Sequence, residues 1–277
     1  MQTFVPLPDL PTSAAVLDDR RLGKQRVETL QILRALHLED YGWANHPAVT
    51  MWRGHTPALV AYGLAIVDEW LRRGYGDTTR PQIAEFVHPD GPPAAADLPG
   101  LLPPWWGDDR VHRSHRSALL RKDPDHYRDA FGPEPDDLPY VWPDPPAPPP
   151  APRPWSAWVV RGRVAAAGVS IDVEPGDLPW VPLDARTGRI RKRDRQVARL
   201  VEELAPGDLV TVPLDDRFRV GRVTGGYRRS AGRHRRPVAW ITELRRRDLR
   251  FPAALQDPQT VFALRGEPLL DDLRSTG

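Results

Sequence analysis

Between residues 17 and 36 the apolar and polar side chains alternate at helical spacing. At about 100° per residue, Leu22, Val27, Leu30 and Leu33 share one side, while Arg20, Lys24, Glu28 and Gln31 fall in line on the other with Arg21 and Gln25 beside them. This pattern predicts an amphipathic helix over Leu17 to Leu36, with Ser13 or Asp9 as its cap. A second helix is predicted over Pro57 to Arg73, opened by Thr56 before Pro57, closed by Gly74, and seated on Leu59, Leu64, Val67 and Leu71. A third runs from Val111 to Lys122, and Pro124 opens the next turn. Between the second and third, the Pro/Ala/Gly-rich stretch Pro89 to Pro104 reads as a surface loop.

Past residue 155 the periodicity shortens to strand-like runs: Trp158 to Val160, Leu209 to Val212, Phe218 to Thr224, Val238 to Ile241 and Thr260 to Leu264. One helical stretch lies among them, near Arg193 to Leu204. The two regimes meet at a segment, 133–154, with eleven prolines in twenty-two residues, where neither a helix nor a central strand can persist. The expected fold class is α+β: an all-α helical bundle over residues 1–142, a Pro-rich linker over 143–154, and a small barrel-like β domain over 155–277.

A chain of 277 residues is long enough for two such cores. Charge divides them: residues 1–154 hold 16 basic against 21 acidic side chains, net −5, and residues 155–277 hold 23 against 16, net +7. A basic second half favours a polyanionic partner. The absence of cysteine excludes disulfides and thiolate chemistry. No apolar run approaches the roughly 18–20 residues of a membrane span, and no basic-then-apolar leader precedes the first helix. The expectation is a cytoplasmic, nucleoid-associated protein with no membrane contact and no obligate protein partner.

The polar side of the first helix is where chemistry concentrates, because it sets the carboxylate of Glu28 among cations and amides. It reads either as a phosphate-facing surface containing an acid, or as a solvated face whose Lys24–Glu28 pair adds roughly 0.2–0.5 kcal/mol. Asp19-Arg20-Arg21, Lys24, Glu28 and Gln31, followed by Asn45-His46-Pro47 and Trp52, resemble the pyrimidine-dimer DNA glycosylase (endonuclease V-like) family. Glu69 to Tyr75, then His112, Ser114, His115, Pro124, His126 and Tyr127, extend the resemblance over residues 1–131. The resemblance implies a compact helical bundle that kinks duplex DNA and extrudes a nucleotide. Its nucleophile is the chain's own α-amine, which attacks the sugar carbon; the base leaves, and the imine can go on to cut the strand by β-elimination. An α-amine is suited to this because it loses its proton at about pH 7.7–8.0, well below a lysine. Glu28 matches the family's helix-borne glutamate. Gln2 is a poor context for removing the initiator methionine, which assigns the amine to Met1. Arginines that grip phosphate later on the family's helix fall at Val27 and Gln31, so phosphate contact passes to Arg20, Arg21, Lys24 and Arg26, with Gln31 a further DNA-binding residue, and a thymine dimer need not be the substrate.

His46, next to Pro47, holds a loop or faces phosphate. His112 and His115 stand at i,i+3 with Arg113 and Arg116, and without a set of acidic or histidine partners at ligand spacing they imply phosphate contact or packing, not a metal. Trp52, Trp105 and Trp106 read as core or loop anchors, or as a platform for an exposed base. In the second half, Gly207 to Val210, Val220 to Tyr227, His234, Arg236, Val238, Trp240 and Thr260 to Phe262 resemble the accessory domain of Mrr-type restriction endonucleases over residues 155–265. Arg228, Arg229, Arg233, Arg235 and Arg236 crowd one hairpin there, as a DNA-reading edge or a solvated turn. Taken together, the sequence predicts a cofactor-independent, metal-independent DNA glycosylase, with AP-lyase activity as a further step, acting on a damaged or modified base in duplex DNA. The alternatives are a non-catalytic sensor or defence protein that recognises modified DNA, and an RNA-modification protein.

Overall fold

The computed structural model describes residues 1–38, 41–143, 157–161, 163–164, 170–173, 195–196, 198–230 and 233–264, with the backbone alone at 163–164, 170–173, 229–230 and 233. The chain divides into two units, Met1–Pro149 and Pro150–Gly277.

The first unit is helical: α1 Leu10–Ala15, α2 Asp19–His37, α3 Pro47–Thr50, α4 Thr56–Arg72, α5 Arg80–Ala84, α6 Leu98–Leu101, α7 Asp109–Lys122 and α8 Pro124–Phe131. The start of the first predicted helix is corrected. Asp9 caps the separate short helix α1, and α2 is capped by Asp18, whose carboxylate accepts the Arg21 backbone N–H. Asp108 and Asp123 perform the same service for α7 and α8. The predicted loop between α4 and α7 contains a single helical turn, α6.

The predicted apolar sides need two corrections. Leu22, Leu30 and Leu33 are buried, but Val27 is 42% exposed, and Leu71 at the end of α4 is similarly open. In their place α2 buries Gln25, Glu28 and Thr29, so the helix is covered on part of its polar side as well. Trp52, Leu59, Tyr62, Ile66 and Leu119 fill the centre. Two glycines let α2 and α4 meet closely: Gly23 lies under the Trp70 ring and Gly63 under Thr29.

The second unit is an open sheet built from β1 Ala157–Val160, β2 Arg163–Val164, β3 Ser170–Val173, β4 Leu209–Leu214, β5 Arg217–Val223, β6 Arg228–Ser230, β7 Arg233–Arg245 and β8 Val261–Leu264. The order is β2-β3-β7-β5-β4-β1-β8, with β6 paired to β7 beside this path. β1 runs parallel to β4 and antiparallel to β8. The barrel expected from the sequence is therefore overturned: β2 and β8 end the path without pairing to each other. Strand β7, predicted over only Val238 to Ile241, spans 13 residues; one end pairs with β3 and the other with β5. A register shift at Val220/Gly221 bends the β5–β7 ladder where a Cβ on Gly221 would lie 2.8 Å from the Ala239 carbonyl oxygen. One face is covered around Val159, Leu209, Phe218 and Phe262, the other around Trp158, Val210, Val223 and Val238. Of the predicted helical stretch, residues 193–194 and 197 lie outside the described residues, and Arg199–Glu203 forms one wide helical turn.

Gly63→Ala tests the α2–α4 contact. Helix propensity alone would favour alanine by about 1 kcal/mol, but its Cβ would stand 2.6 Å from Thr29 Cγ2. Thr29 cannot turn away without breaking its hydroxyl bond to the Gln25 carbonyl (2.8 Å). Net destabilisation of about 1–3 kcal/mol is expected in denaturant unfolding.

Candidate active site

The segment before α1 is extended and buried, so its backbone groups need partners from elsewhere. Side chains of three helices supply them. The Gln25 amide oxygen of α2 accepts the Phe4 N–H (2.9 Å), and the Tyr62 hydroxyl of α4 lies 3.0 Å from the Phe4 carbonyl and 2.7 Å from that same amide oxygen. Val5 is held from both sides by α7. Its N–H donates to His115 Nδ1 (3.0 Å), and its carbonyl faces His112 Nδ1 (2.7 Å). The two imidazoles therefore carry their protons on opposite nitrogens. Neutral His115 is protonated on Nε2, which lies beside the Gln2 side-chain amide and can donate only to that amide's oxygen, whereas His112 is protonated on Nδ1 and its Nε2 accepts the Gly107 N–H. Arg116 donates to the Pro6 carbonyl, and the Trp52 indole N–H donates to Thr3 Oγ1 (2.9 Å).

This lacing brings the α-amine of Met1 to 3.6 Å from Glu28 Oε1, with both side chains more than nine-tenths buried. Lys24 Nζ reaches the same oxygen at 3.5 Å from the solvent side, and the Gln25 amide donates to Glu28 Oε2 at 3.0 Å. Amine and carboxylate lie on the wall of a pocket of about 570 Å³, lined also by Arg20, Arg21, His46, Lys122, Tyr140 and Trp142. Burial, and the Glu28 charge after it, push the Tyr62 hydroxyl well above its ordinary range. Burial lowers His46, and the neighbouring Met1 ammonium adds to that. Burial lowers Lys122 too, helped by Arg21, Arg121 and Lys24. A chamber that holds an amine against a carboxylate, with cations at its rim and aromatic rings on its wall, can take an anionic, ring-bearing ligand and move a proton beside it.

The structure sorts the site residues predicted from sequence. Met1, Glu28, Arg20, Lys24 and His46 meet at the pocket, and His46 also caps α3 by accepting the Ala48 N–H. Arg21 lines it too, but its guanidinium is bonded to Asp18, Asp123 and the Lys122 carbonyl. Arg26 is turned away, paired with Asp77 and stacked on Trp70. Gln31, half-buried, is outside the lining. Of the two roles expected of His112 and His115, phosphate contact or packing, their positions fit packing: both are buried and each gives its Nδ1 to Val5 of the N-terminal segment. Arg113 and Arg116 share Glu134. Trp52 and Trp105 are core. Sequence reasoning missed Gln2, Phe4, Gln25, Lys122, Tyr140 and Trp142 as lining residues. The legible signal for one of them was Lys122 closing α7 beside Pro124.

In the second unit Arg236 is buried and donates to the Leu200 and Val201 carbonyls, so it anchors the wide turn and leaves the expected basic edge. Arg228 is exposed and Arg235 half-buried on the β6–β7 hairpin, while the side chains of Arg229 and Arg233 lie outside the described residues. Among the described residues no group of acidic or histidine side chains is placed to hold a metal, and no helix is long and apolar enough to cross a membrane.

Residues 1–82 match the family model of pyrimidine dimer DNA glycosylases. The match covers less than a third of the chain and likens its N-terminal end to a family of glycosylase-type enzymes. No curated protein and no solved structure is matched.

Acid sensitivity follows from the buried imidazoles. Burial pushes His115 down to about 3 and His37 down to about 4. Unfolded histidine takes up its proton near about pH 6.5. As the folded values are depressed, stability is complete above that pH and falls below it, by up to about 1.4 kcal/mol per pH unit for each histidine, until the folded value is reached. Denaturant unfolding at pH 7, 6 and 5 should show this loss, and His115→Gln, which cannot charge, should make the slope shallower.

Proposed function

We propose that the N-terminal unit is a DNA glycosylase that removes a damaged or modified base from duplex DNA through an imine on the Met1 α-amine. The observation that carries this reading is the buried Met1–Glu28 pair, 3.6 Å apart on the wall of a pocket wide enough for a nucleotide. Glu28 takes a proton from the Met1 ammonium, and the freed lone pair forms a bond to the sugar C1′ as the C1′–base bond breaks, the base leaving with that bond's electrons and with the proton Glu28 holds. The bonded nitrogen then sheds a second proton to Glu28, which passes it to O4′ as the C1′–O4′ bond breaks and the iminium forms. The Glu28 carboxylate faces the cationic sugar, an electrostatic role. Loss of a C2′ proton with departure of the 3′ phosphate oxygen cuts the strand, the AP-lyase step. Arg20, Lys24 and Lys122 at the rim suit the flanking phosphates. The second unit, net +7 over residues 155–277, holds DNA by sequence-independent charge, as the Mrr-type accessory domains it resembles would do.

Borohydride reduces an iminium to a stable amine and so traps the protein on the strand. The intact chain should form such an adduct on duplex carrying damaged bases, and peptide mass spectrometry should place it on the α-amine of Met1. Glu28→Gln should reduce adduct formation by roughly 10²-fold or more, and selective acetylation of the α-amine should abolish it. An adduct that survives acetylation moves the nucleophile to a lysine. Tight duplex binding with no adduct on any lesion leaves a sensor of modified DNA.

A further inference from the structure

Beside the pocket stands a side chain that neither the fold nor the proposed chemistry uses. Trp43 is 63% exposed, the most open of the large apolar side chains among the described residues. Its φ of 77° lies in the left-handed region, which a bulky L-residue seldom occupies. The turn is pinned, because the His46 N–H donates to the Trp43 carbonyl at 2.8 Å. His46 in turn is a wall of the pocket, and its ring meets the Trp43 indole edge-on with centroids 5.6 Å apart. The same imidazole touches Trp142, which touches Tyr140, so a row of rings leads from the solvent-exposed indole along the pocket wall.

We propose that Trp43 is a stacking wedge: when a nucleotide is extruded into the pocket, the indole enters the gap left in the duplex and stacks on the neighbouring base. This rests on the glycosylase reading of the pocket. Scale favours it. Bases are spaced about 3.4 Å along a strand, so an indole lying 5.6 Å from the pocket-wall ring of His46 stands about three stacking steps from a base resting against that ring. Chemistry favours it as well. Extrusion loses stacking on both faces of the gap, and an indole replaces that surface without reading sequence. Exposed in the free protein, Trp43 contributes little to the core, so holding it outward in an uncommon backbone conformation makes sense for a surface that arrives later.

The test uses the full chain with Trp43→Ala and Trp43→Phe and two probes. The first is a duplex with a tetrahydrofuran abasic analogue beside a 2-aminopurine, a base whose fluorescence is quenched by stacking. The second is a single strand with an aldehydic abasic site, trapped with borohydride, where no gap exists to fill. The wild type and Trp43→Phe should quench the aminopurine. Trp43→Ala should leave it bright and bind the duplex about 10- to 100-fold more weakly, yet give wild-type adduct yield on the single strand. Quenching by Trp43→Ala equal to the wild type, undiminished duplex affinity, or an equal loss on both probes would overturn the wedge. The imine reading fails separately, by absence of any wild-type adduct on the single strand, while the quenching still reports on Trp43.

Discussion

The first unit depends on one constraint: a buried extended segment must have its backbone polar groups satisfied, and no neighbouring strand is there to do it. An orphaned N–H or C=O in such a place costs about 1–3 kcal/mol. Five side chains from α2, α4 and α7 answer the groups of residues 4–6: Gln25, Tyr62, His112, His115 and Arg116. Because these bonds are directional, the segment has little freedom to slide, and the position of the chain's first atom becomes a property of the helical packing. The amine faces Glu28 because Phe4 and Val5 are fixed, and Phe4 and Val5 are fixed because α2, α4 and α7 converge on them. Gln25 joins the two tasks, with its oxygen on Phe4 N–H and its amide nitrogen on the Glu28 carboxylate.

This also explains what was and was not legible in the sequence. Helices α2, α4, α7 and α8 could be read from their periods and from Pro57, Gly74 and Pro124, because those signals are local. The burial of Gln25 and Glu28 could not, since the period places polar residues outside unless a distant segment covers them, and the covering segment is separated by some twenty residues. The same blindness left His112 and His115 between phosphate contact and packing: i,i+3 spacing shows that they share a face, not that Val5 lies against it. In the sheet, strand runs were visible, but closure is decided by which strands end the order, and no local pattern encodes that β2 and β8 fail to meet. Arg236 misled for a similar reason, because an arginine within a basic run gives no sign that it caps the carbonyls of Leu200 and Val201.

Net charge misleads in the same way when read over a whole unit. Residues 1–154 are net acidic, yet their pocket is rimmed by cations. Much of the acidic charge is consumed in pairs: Asp18 and Asp123 with Arg21, Asp77 with Arg26, Glu69 with Arg72 and Arg73, and Glu134 with Arg113 and Arg116. Arg21–Asp123, Arg26–Asp77 and the Glu134 pairs join separate segments, while Asp18–Arg21 and Glu69 with Arg72 and Arg73 stay local to the start of α2 and the end of α4. At the pocket the sum is local, with Arg20, Lys24 and Lys122 surrounding one carboxylate, and it is this local field that a polyanion would meet.

Stability does not account for the Met1–Glu28 pair. Moving two opposite charges out of water costs about as much as their attraction returns, and well-packed apolar side chains of similar volume often do as well or better. Lys24 adds little, since it is 68% exposed and its contact with the same oxygen is of the kind worth about 0–1 kcal/mol. A fold selected for stability alone would fill this space with leucine and phenylalanine, as the neighbouring contacts around Leu22, Leu59 and Ile66 do. The pair instead keeps a charged amine and a carboxylate on a pocket wall, at the end of a segment whose positioning takes five polar side chains. An arrangement that stability alone does not favour, and that needs that much polar scaffolding, is the one the proposed amine chemistry would require.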